Sequence, residues 1–236
     1  MKTKQEHPLL WCLEDVDLVE DLSRQQKKEL LHRLKTEDYQ RGETIFLPGD
    51  PSDTVYFLHK GLVKIYRVDE TGKRLTLLLI GRKGRPFGVM ALAGQGRRDL
   101  VAQAVIDSRL CMIAKDDLLL LAKANPTLCL KITELIGSRR KTIENKLADV
   151  VFRNVPARLA KLLLQLAREF GREFQARKRI EIRFTHQELA ELIGASREHV
   201  TATLNRFSKE RLLSRRRGHV ILQNEKALRQ LVDARG

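Results

Sequence analysis

The chain has 236 residues, 42% of them hydrophobic, which is enough for one large domain or two modest ones with a substantial core. Its formal net charge of +15 predicts a polyanionic partner, most often nucleic acid. Cys12, Cys111 and Cys129 are odd in number and far apart. This argues against disulfides and against a metal site, while the lack of an apolar signal core or long apolar run predicts a cytoplasmic protein without membrane contact.

The first part of the chain is predicted to be a helix followed by a β-roll. Residues 13–38 carry an apolar stripe with a helical period, formed by Leu22, Leu30, Leu31 and Leu34. From about residue 39 to residue 115, short apolar or alternating runs such as TVYFL and LVKIYRV are separated by glycines and by turn sequences such as PGDPSD. This texture predicts a compact antiparallel β-barrel or roll, interrupted by a short helix near Val89–Leu92. Cys12 is expected to be a buried thiol beside Trp11, with a redox switch as the alternative.

A second helical region follows. The run DDLLLLAKANP predicts a short helix, and a longer helix is predicted from about Pro126 to Phe152, which contains no internal proline. Spacings of 4, 3, 4 and 3 along this helix define a seam of Ile136, Arg140, Ile143, Leu147 and Val150. Such a rhythm favours a parallel dimer helix over a helix packed only on its own domain. The predicted domains are therefore residues 1–124, 125–152 and 153–236, with a hinge at residues 153–155.

The C-terminal domain carries most of the charge excess, with 19 lysines and arginines against 9 acidic residues from Arg153 onward. Thr185 and Glu188 predict a capping box at the start of a short helix, which Gly194 ends. Ser196 can cap the next helix, on which Val200, Leu204 and Phe207 share the inner face. The order of helix, glycine turn and second helix predicts a helix-turn-helix.

The outward residues of the second helix suit base readout. Arg197 can donate two hydrogen bonds to guanine, and Glu198 can accept from cytosine. The following LLSRRRGHVIL reads as strand, basic turn and strand, which predicts a wing that reaches phosphates. The predicted DNA-contacting residues are Thr185, His186, Ser196, Arg197, Glu198, His199, Thr201, Asn205, Arg215, Arg216 and Arg217.

Two stretches of this sequence, GETIFLPGDPSDTVYFLHKGLVKIYR and THQELAELIGASREHVTATLNRF, resemble the CRP/FNR family of dimeric bacterial transcription regulators, and the likeness covers essentially the whole chain. The resemblance implies an α+β fold with an N-terminal cyclic-nucleotide-binding-type β-roll, a long dimerisation helix and a C-terminal winged helix-turn-helix. It also implies a homodimer that binds double-stranded DNA at a pseudo-palindromic operator, with RNA polymerase as a further partner. We find no nucleophile–base pair, phosphate loop or metal constellation in the sequence, so we expect no enzyme activity and no metal.

The effector site departs from the family pattern. Val89 stands where cyclic AMP-binding members carry a glutamate, and Asp99 follows the retained Arg98 in place of a hydroxyl residue, so cyclic AMP is disfavoured. The haem and iron–sulfur sensors of the family use histidine or clustered cysteines, which the region of residues 87–104 lacks. Ala202 lies where several members place a second base-reading arginine, so the half-site is expected to differ at that step.

The 2-oxoglutarate-sensing nitrogen-control regulators carry a Phe-Gly-Val like that of this chain, and the resemblance places their helix arginine and glutamate at Arg139 and Glu144. The implied effector residues are Phe87, Gly88, Val89, Met90, Arg97, Arg98, Arg139 and Glu144. The expected effector is a small anion such as 2-oxoglutarate, with no other cofactor. Two alternatives stay open: a cyclic-nucleotide-responsive regulator, or an effector-independent activator in which Asp99 pairs with Arg97, Arg98 or Arg139. Surface ion pairing is the other reading of Arg139 and Glu144.

Overall fold

The computed structural model describes residues 9–13, 16–81, 83–94 and 96–233. The chain divides into two compact units, the first made of residues 1–68 and 78–142 and the second of residues 69–77 and 143–236. The division therefore falls within the long helix.

The N-terminal helix predicted for residues 13–38 is much shorter in the structure. Two 3-10 turns, Leu10–Cys12 and Asp17–Val19, precede α1 (Arg24–Arg33), which Ser23 begins with a capping box. The next residues form strand β1 (Lys35–Tyr39), which pairs with a later strand. The prediction is wrong here because the side chains of β1 are almost all exposed, so no apolar alternation marks a strand that backbone pairing holds.

The antiparallel β-roll is confirmed. Its further strands are β2 (Thr44–Phe46), β3 (Thr54–Val68), β4 (Arg74–Ile80), β5 (Pro86–Phe87) and β6 (Val101–Ala114). The sheet order is β1-β6-β3-β4, and β2 and β5 pair with β6 and β3 respectively. The runs TVYFL and LVKIYRV join in β3, which passes Gly61 at a φ of +112°. A Cβ there would lie 2.1 Å from Ser108 Oγ on β6, so the close approach of the two long strands requires glycine.

A disulfide joins Cys12 to Cys111, which contradicts the expectation of unpaired cysteines. The two residues are 99 positions apart in sequence, yet their Cα atoms are 6.0 Å apart because β6 carries Cys111 beneath the first 3-10 turn. Both are buried in a core cluster that also contains Leu118 and Leu128. Cys129 is a free, exposed cysteine.

Helices α2 (Lys115–Ala124) and α3 (Pro126–Phe152) follow the roll as predicted, and the short helix near Val89 is a 3-10 segment, Val89–Ala93. Helix α3 runs for 27 residues because nothing between Pro126 and Phe152 breaks it. Its first turns pack on the roll through Leu128, which is 2% exposed, and through the half-buried Ile132 and Ile136.

The second unit contains α4 (Val155–Phe170), α5 (His186–Ile193), α6 (Arg197–Lys209) and α7 (Glu225–Asp233). Its sheet has the order β7-β8-β10-β9, with β7 (Gly171–Phe174), β8 (Arg177–Ile180), β9 (Leu213–Arg216) and β10 (His219–Leu222). Strands β9 and β10 are the predicted wing. The hairpin β7–β8 and helix α7 were not anticipated from the sequence. Among the helices that the structure describes, none combines the length and the apolar character of a membrane-spanning segment.

Candidate functional site

Hydrogen bonds between residues that are close in sequence determine where the two helices of the helix-turn-helix begin and end. Thr185 Oγ1 accepts from the Glu188 amide while the Glu188 carboxylate accepts from the Thr185 amide, which completes the capping box of α5. Gly194 ends α5 in the left-handed conformation, with a φ of +64°. Ser196 Oγ then accepts from the His199 amide and begins α6. These caps fix where the second helix starts and hence which side chains its first turn presents.

An arginine that sequence reasoning did not single out holds the turn between the two helices. Arg158, on α4, donates from Nη1 to the carbonyl oxygens of Ile193, at 2.7 Å, and Gly194, at 3.2 Å. These are carbonyls that the end of α5 leaves without helical partners. The only signal in the sequence is an arginine near the start of an amphipathic helix, which does not reveal what it caps.

One face of α6 is open to the surroundings. Val200, Leu204 and Phe207 are at most 1% exposed and anchor the helix in the core. Arg197 and Asn205 are exposed, and Thr201 between them is half-buried. These three residues are spaced four apart and therefore lie on one face, the recognition face.

The acidic residue at the start of α6 stays ionised. Its own backbone N–H, the Ser196 hydroxyl and then the neighbouring Arg197 lower the pKa of Glu198. An ionised carboxylate offers only hydrogen-bond acceptors, which suits a donor on a base edge such as cytosine N4. Ser196 and His199 are also exposed beside it, with the Ser196 hydroxyl 3.2 Å from His199 Nδ1.

The three wing arginines occupy different surroundings. Arg217 lies in the turn of the wing with a φ of +49°, next to Gly218. The Arg216 guanidinium stands 5.9 Å from the ring of Phe174 on β7. Arg215 contacts both helices of the helix-turn-helix. Its Nη2 donates to Asn205 Oδ1 at 2.9 Å, and its Nη1 lies 3.3 Å from His186 Nε2.

In the first unit, Arg98 points into the roll. Its side chain is 7% exposed, and it donates from Nη1 to the Gly88 carbonyl and from Nη2 to the Thr54 carbonyl, at 3.0 and 2.5 Å. The Phe46 ring lies 4.5 Å from its guanidinium carbon, and its Nε has no partner among the described residues. Burial lowers the pKa of the Arg98 guanidinium. The result is a desolvated cation that carbonyl oxygens and an aromatic face surround.

The residues before Arg98 serve mostly as packing. Phe87 and Val89 are 0% and 1% exposed, and Phe87 stacks on Tyr56 with ring centroids 5.0 Å apart. A Cβ on Gly88 would lie 3.0 Å from Arg98 Nη1, so glycine leaves room for the guanidinium. Met90 is 44% exposed. Val89 packs in the core cluster that contains Cys12 and Cys111.

Two further arginines of the predicted effector set bind backbone carbonyls. Arg139, on α3, donates from Nη2 to the Pro86 carbonyl, two residues before the carbonyl that Arg98 holds. Its Nε is buried without a partner among the described residues, and burial together with the charge of Arg85 lowers the pKa of Arg139 to about 10. Arg97 is exposed and donates to the Gly49 carbonyl at 2.6 Å. Glu144 is exposed and belongs to the second unit.

Asp99 does not pair with Arg97, Arg98 or Arg139, which corrects the internal pairing considered above. Its carboxylate lies 3.3 Å from Arg67 Nη2, and both side chains are about three-fifths exposed, at 60% and 62%. Asp99 faces away from the buried guanidinium of Arg98 because neighbouring residues of an extended chain point to opposite sides.

A cavity of about 400 Å³ lies in the first unit beside residues 83–86. Lys131, Glu134 and Ser138 of α3 form its other side, so charges of both signs line it. Among the described residues no cluster of histidine, cysteine and carboxylate side chains has the arrangement of a metal site.

The seam residues of α3 differ in exposure along the helix. Ile136 is half-buried against the roll core and Arg140 is exposed. In the second unit Ile143 and Val150 are each 40% exposed and Leu147 is 65% exposed. Apolar side chains at this spacing form an open stripe on the second half of the helix.

Comparison with known proteins finds a matching family model in each half of the chain. The family model of the cyclic nucleotide-binding domain matches residues 36–125, and that of the Crp-like helix-turn-helix domain matches residues 157–231. A CRP-like cAMP-activated global transcriptional regulator of Mycobacterium tuberculosis is 33% identical over 76% of this chain and 80% of its own length. A global nitrogen regulator of Synechocystis is 33% identical over 82% of this chain and 87% of its own length.

Solved structures agree with these matches. The crystal structure of a transcriptional regulator of the CRP/FNR family from Thermus thermophilus has a TM-score of 0.73 and 29% identity, covering 86% of this chain and 100% of the other. The structure of FixK2 from Bradyrhizobium japonicum has a TM-score of 0.75 over 86% of this chain and 99% of the other, at 19% identity, a likeness of fold alone.

Proposed function

The chain belongs to the CRP/FNR family of transcription regulators, and from this premise we propose that it acts as a homodimer that reads a pseudo-palindromic operator. Members of the family are regulators rather than enzymes, and this chain is a DNA-binding regulator. The recognition face of α6, with Arg197 at its start, carries the proposal. In a dimer the two recognition helices would enter successive major grooves roughly 34 Å apart.

The open apolar stripe on α3 supports the homodimer. Ile143, Leu147 and Val150 expose apolar surface at spacings of four and three residues, the rhythm of a two-helix seam. Leu147→Asp should convert the dimer to a monomer in sedimentation experiments, because it places a charge in the seam. Leu120→Asp is the matched control, since Leu120 is 56% exposed on α2 and should leave the dimer intact. A wild-type protein that sediments as a monomer would contradict the proposal.

Footprinting on genomic DNA and selection from a random pool test the operator. Arg197→Ala should weaken binding by about 1–3 kcal/mol and relax one base position in each half-site. Arg216→Ala should weaken all sequences alike, because a phosphate contact carries no sequence information. Arg229→Ala on α7, whose side chain pairs with Glu225, is the control expected to change neither property. An unprotected genome or a selected site without inverted symmetry would refute the proposed operator.

For the effector, the best-supported ligand is a small carboxylate such as 2-oxoglutarate, bound near the carbonyls of residues 86–88. Arg98 and Arg139 supply two guanidinium groups on this segment, each with an unpartnered Nε. No carboxylate of the described residues lies within ion-pair distance of either arginine, and burial has weakened the hydration of both. A carboxylate can take two parallel hydrogen bonds from one guanidinium. Cyclic AMP fits less well, because the buried Val89 offers no acceptor for a ribose hydroxyl.

Calorimetry with 2-oxoglutarate and with cyclic AMP separates the candidates. We expect heat with 2-oxoglutarate alone, and we expect Arg139→Gln to abolish it. Arg67→Gln is the matched control, since Arg67 is exposed on β3 and its guanidinium pairs with Asp99 rather than with the backbone of residues 86–88. Heat with cyclic AMP would support the cyclic-nucleotide alternative. No heat with either ligand, together with unchanged DNA affinity, would support effector-independent regulation.

We also propose that the DNA-bound protein contacts RNA polymerase. Transcription in vitro from a promoter that contains the selected operator tests this: addition of the wild-type protein should change transcript yield, and Arg197→Ala should require a higher protein concentration for the same change. A yield that the wild-type protein leaves unchanged would contradict it.

A further inference from the structure

Arg215, on wing strand β9, connects this strand with helices α5 and α6 of the helix-turn-helix. Its Nη2 donates to Asn205 Oδ1 on α6 at 2.9 Å, and its Nη1 lies 3.3 Å from His186 Nε2 at the start of α5. His186 Nδ1 in turn lies 2.8 Å from Thr201 Oγ1, also on α6. The chain of contacts therefore runs from one residue of the recognition face through the wing and back to another.

The chemistry of arginine fixes the direction of every hydrogen bond in this chain. A guanidinium only donates, so His186 Nε2 must accept and carry no proton. The ring is then neutral with its proton on Nδ1, which donates to Thr201 Oγ1, and the Thr201 hydroxyl donates to the Arg197 carbonyl at 2.9 Å. Partial burial, the charge of Arg215 and the charge of Arg197 all lower the pKa of His186, which agrees with a neutral ring.

The same argument applies to Asn205. Because Arg215 can only donate, the oxygen of the Asn205 amide must face it, and the amide nitrogen is left for other partners. Asn205 on its own suits adenine, since it can accept from N6 and donate to N7. The guanidinium takes one lone pair of this oxygen and places a positive charge beside it, so the exposed pair Asn205–Arg215 presents mainly donors.

We propose that Arg215, positioned by His186, orients Asn205 so that its amide nitrogen faces the base, and that the pair thereby selects guanine over adenine at its base pair. Guanine offers two acceptors in the major groove, N7 and O6, whereas adenine offers N7 and a donating N6 amino group. The adenine amino group is itself a donor, so it would face the donors of Asn205 and Arg215 without an acceptor. In this role Arg215 is a positioning residue rather than a phosphate contact. The proposal rests on the proposed reading of DNA by α6.

The test uses the full-length protein and an operator that the wild type selects from a random pool. The base pair that Asn205→Ala relaxes is first identified, and the affinity for all four bases is then measured there. Wild type should prefer guanine over adenine about tenfold. Arg215→Ala should reduce this preference below twofold, whereas Arg217→Ala, a matched loss of charge in the same wing, should lower all four affinities and keep the preference.

His186 provides a second pair of variants. His186→Gln keeps an acceptor for Arg215 and should keep the guanine preference, and His186→Leu removes that acceptor and should weaken it. Circular dichroism checks that each variant is folded. A wild type that binds no DNA would refute the proposed function itself. A wild type that binds DNA but prefers adenine at this position, or an Arg215→Ala variant that retains the preference, would overturn the inference alone.

Discussion

Reduction of the Cys12–Cys111 disulfide should strongly destabilise the first unit. The bond closes a loop that contains nearly the whole β-roll, and its two cysteines are 99 positions apart in sequence. Reduction leaves both sulfur atoms in place, so it removes the cross-link without creating a cavity. It is therefore a cleaner perturbation than Cys12→Ser, which would put a hydroxyl at a position that is 3% exposed.

The magnitude follows from the length of the loop. A cross-link lowers the conformational entropy of the unfolded chain, and a loop of about 100 residues is worth about 4.7 kcal/mol at 25 °C in this treatment. Residual structure in the unfolded roll would reduce this figure, because part of the entropy is then already lost. A loss of about 3–5 kcal/mol is the expected range.

Trp11 offers a direct assay because it is the chain's single tryptophan and is adjacent to Cys12. Its ring lies 4.0 Å from that of His59, so its fluorescence reports on this part of the roll. Guanidinium unfolding with and without a phosphine reductant should give a lower midpoint for the reduced protein. Cys129→Ser is the control and should show the same dependence on reductant, since Cys129 is free. Equal midpoints in both conditions would refute the reasoning.

Three further predictions concern packing and charge. Gly61→Ala should destabilise the roll by about 3 kcal/mol or more in chemical denaturation, because its Cβ would clash with Ser108 at an unfavourable φ; a change below about 1 kcal/mol would contradict the strand contact. Phe207→Ala should cost about 3–5 kcal/mol and impair DNA binding, since the fully buried ring anchors α6; unchanged thermal unfolding would argue against that anchor. Lys146 donates to the Thr76 carbonyl, and burial lowers the pKa of its amine to about 8. Between pH 8 and about 10.5 the unfolded chain therefore holds more protons than the folded protein, so the free energy of unfolding should rise with pH in this range. Lys146→Met should flatten this rise in urea unfolding measured across that range, and an equal slope in both proteins would contradict the shift.

The helix-turn-helix could be predicted in detail because interactions between residues close in sequence determine it. The capping box at Thr185, the left-handed Gly194 and the period of Val200, Leu204 and Phe207 each act within a few residues. The bounds of α3 follow in the same way from the helix-compatible run after Pro126. Such signals can be recognised in the sequence because they do not depend on contacts with distant parts of the fold.

The hairpin β7–β8 was missed because its sequence lacks the usual signals. Its two turn residues, Gln175 and Ala176, have φ values of 51° and 56°, where glycine or asparagine is expected. Its strands, GREF and RKRI, are rich in charge and show little apolar alternation. Pairing with β10 holds the hairpin in place, and that pairing is a long-range contact.

The relation between Arg98 and Asp99 shows why a site is harder to predict than a fold. In the sequence the two charges are adjacent, which suggests that the acid either repels an anion or replaces it. In the structure the backbone of this segment is held to the loop of residues 49–50, because the Gly49 amide donates to the Arg98 carbonyl and the Arg98 amide donates to the Asp50 carbonyl. This register turns Arg98 inward and leaves Asp99 with Arg67 at the surface. An anion at Arg98 would therefore meet a buried cation that the neighbouring acid does not neutralise, which is the condition that binding of a small carboxylate requires.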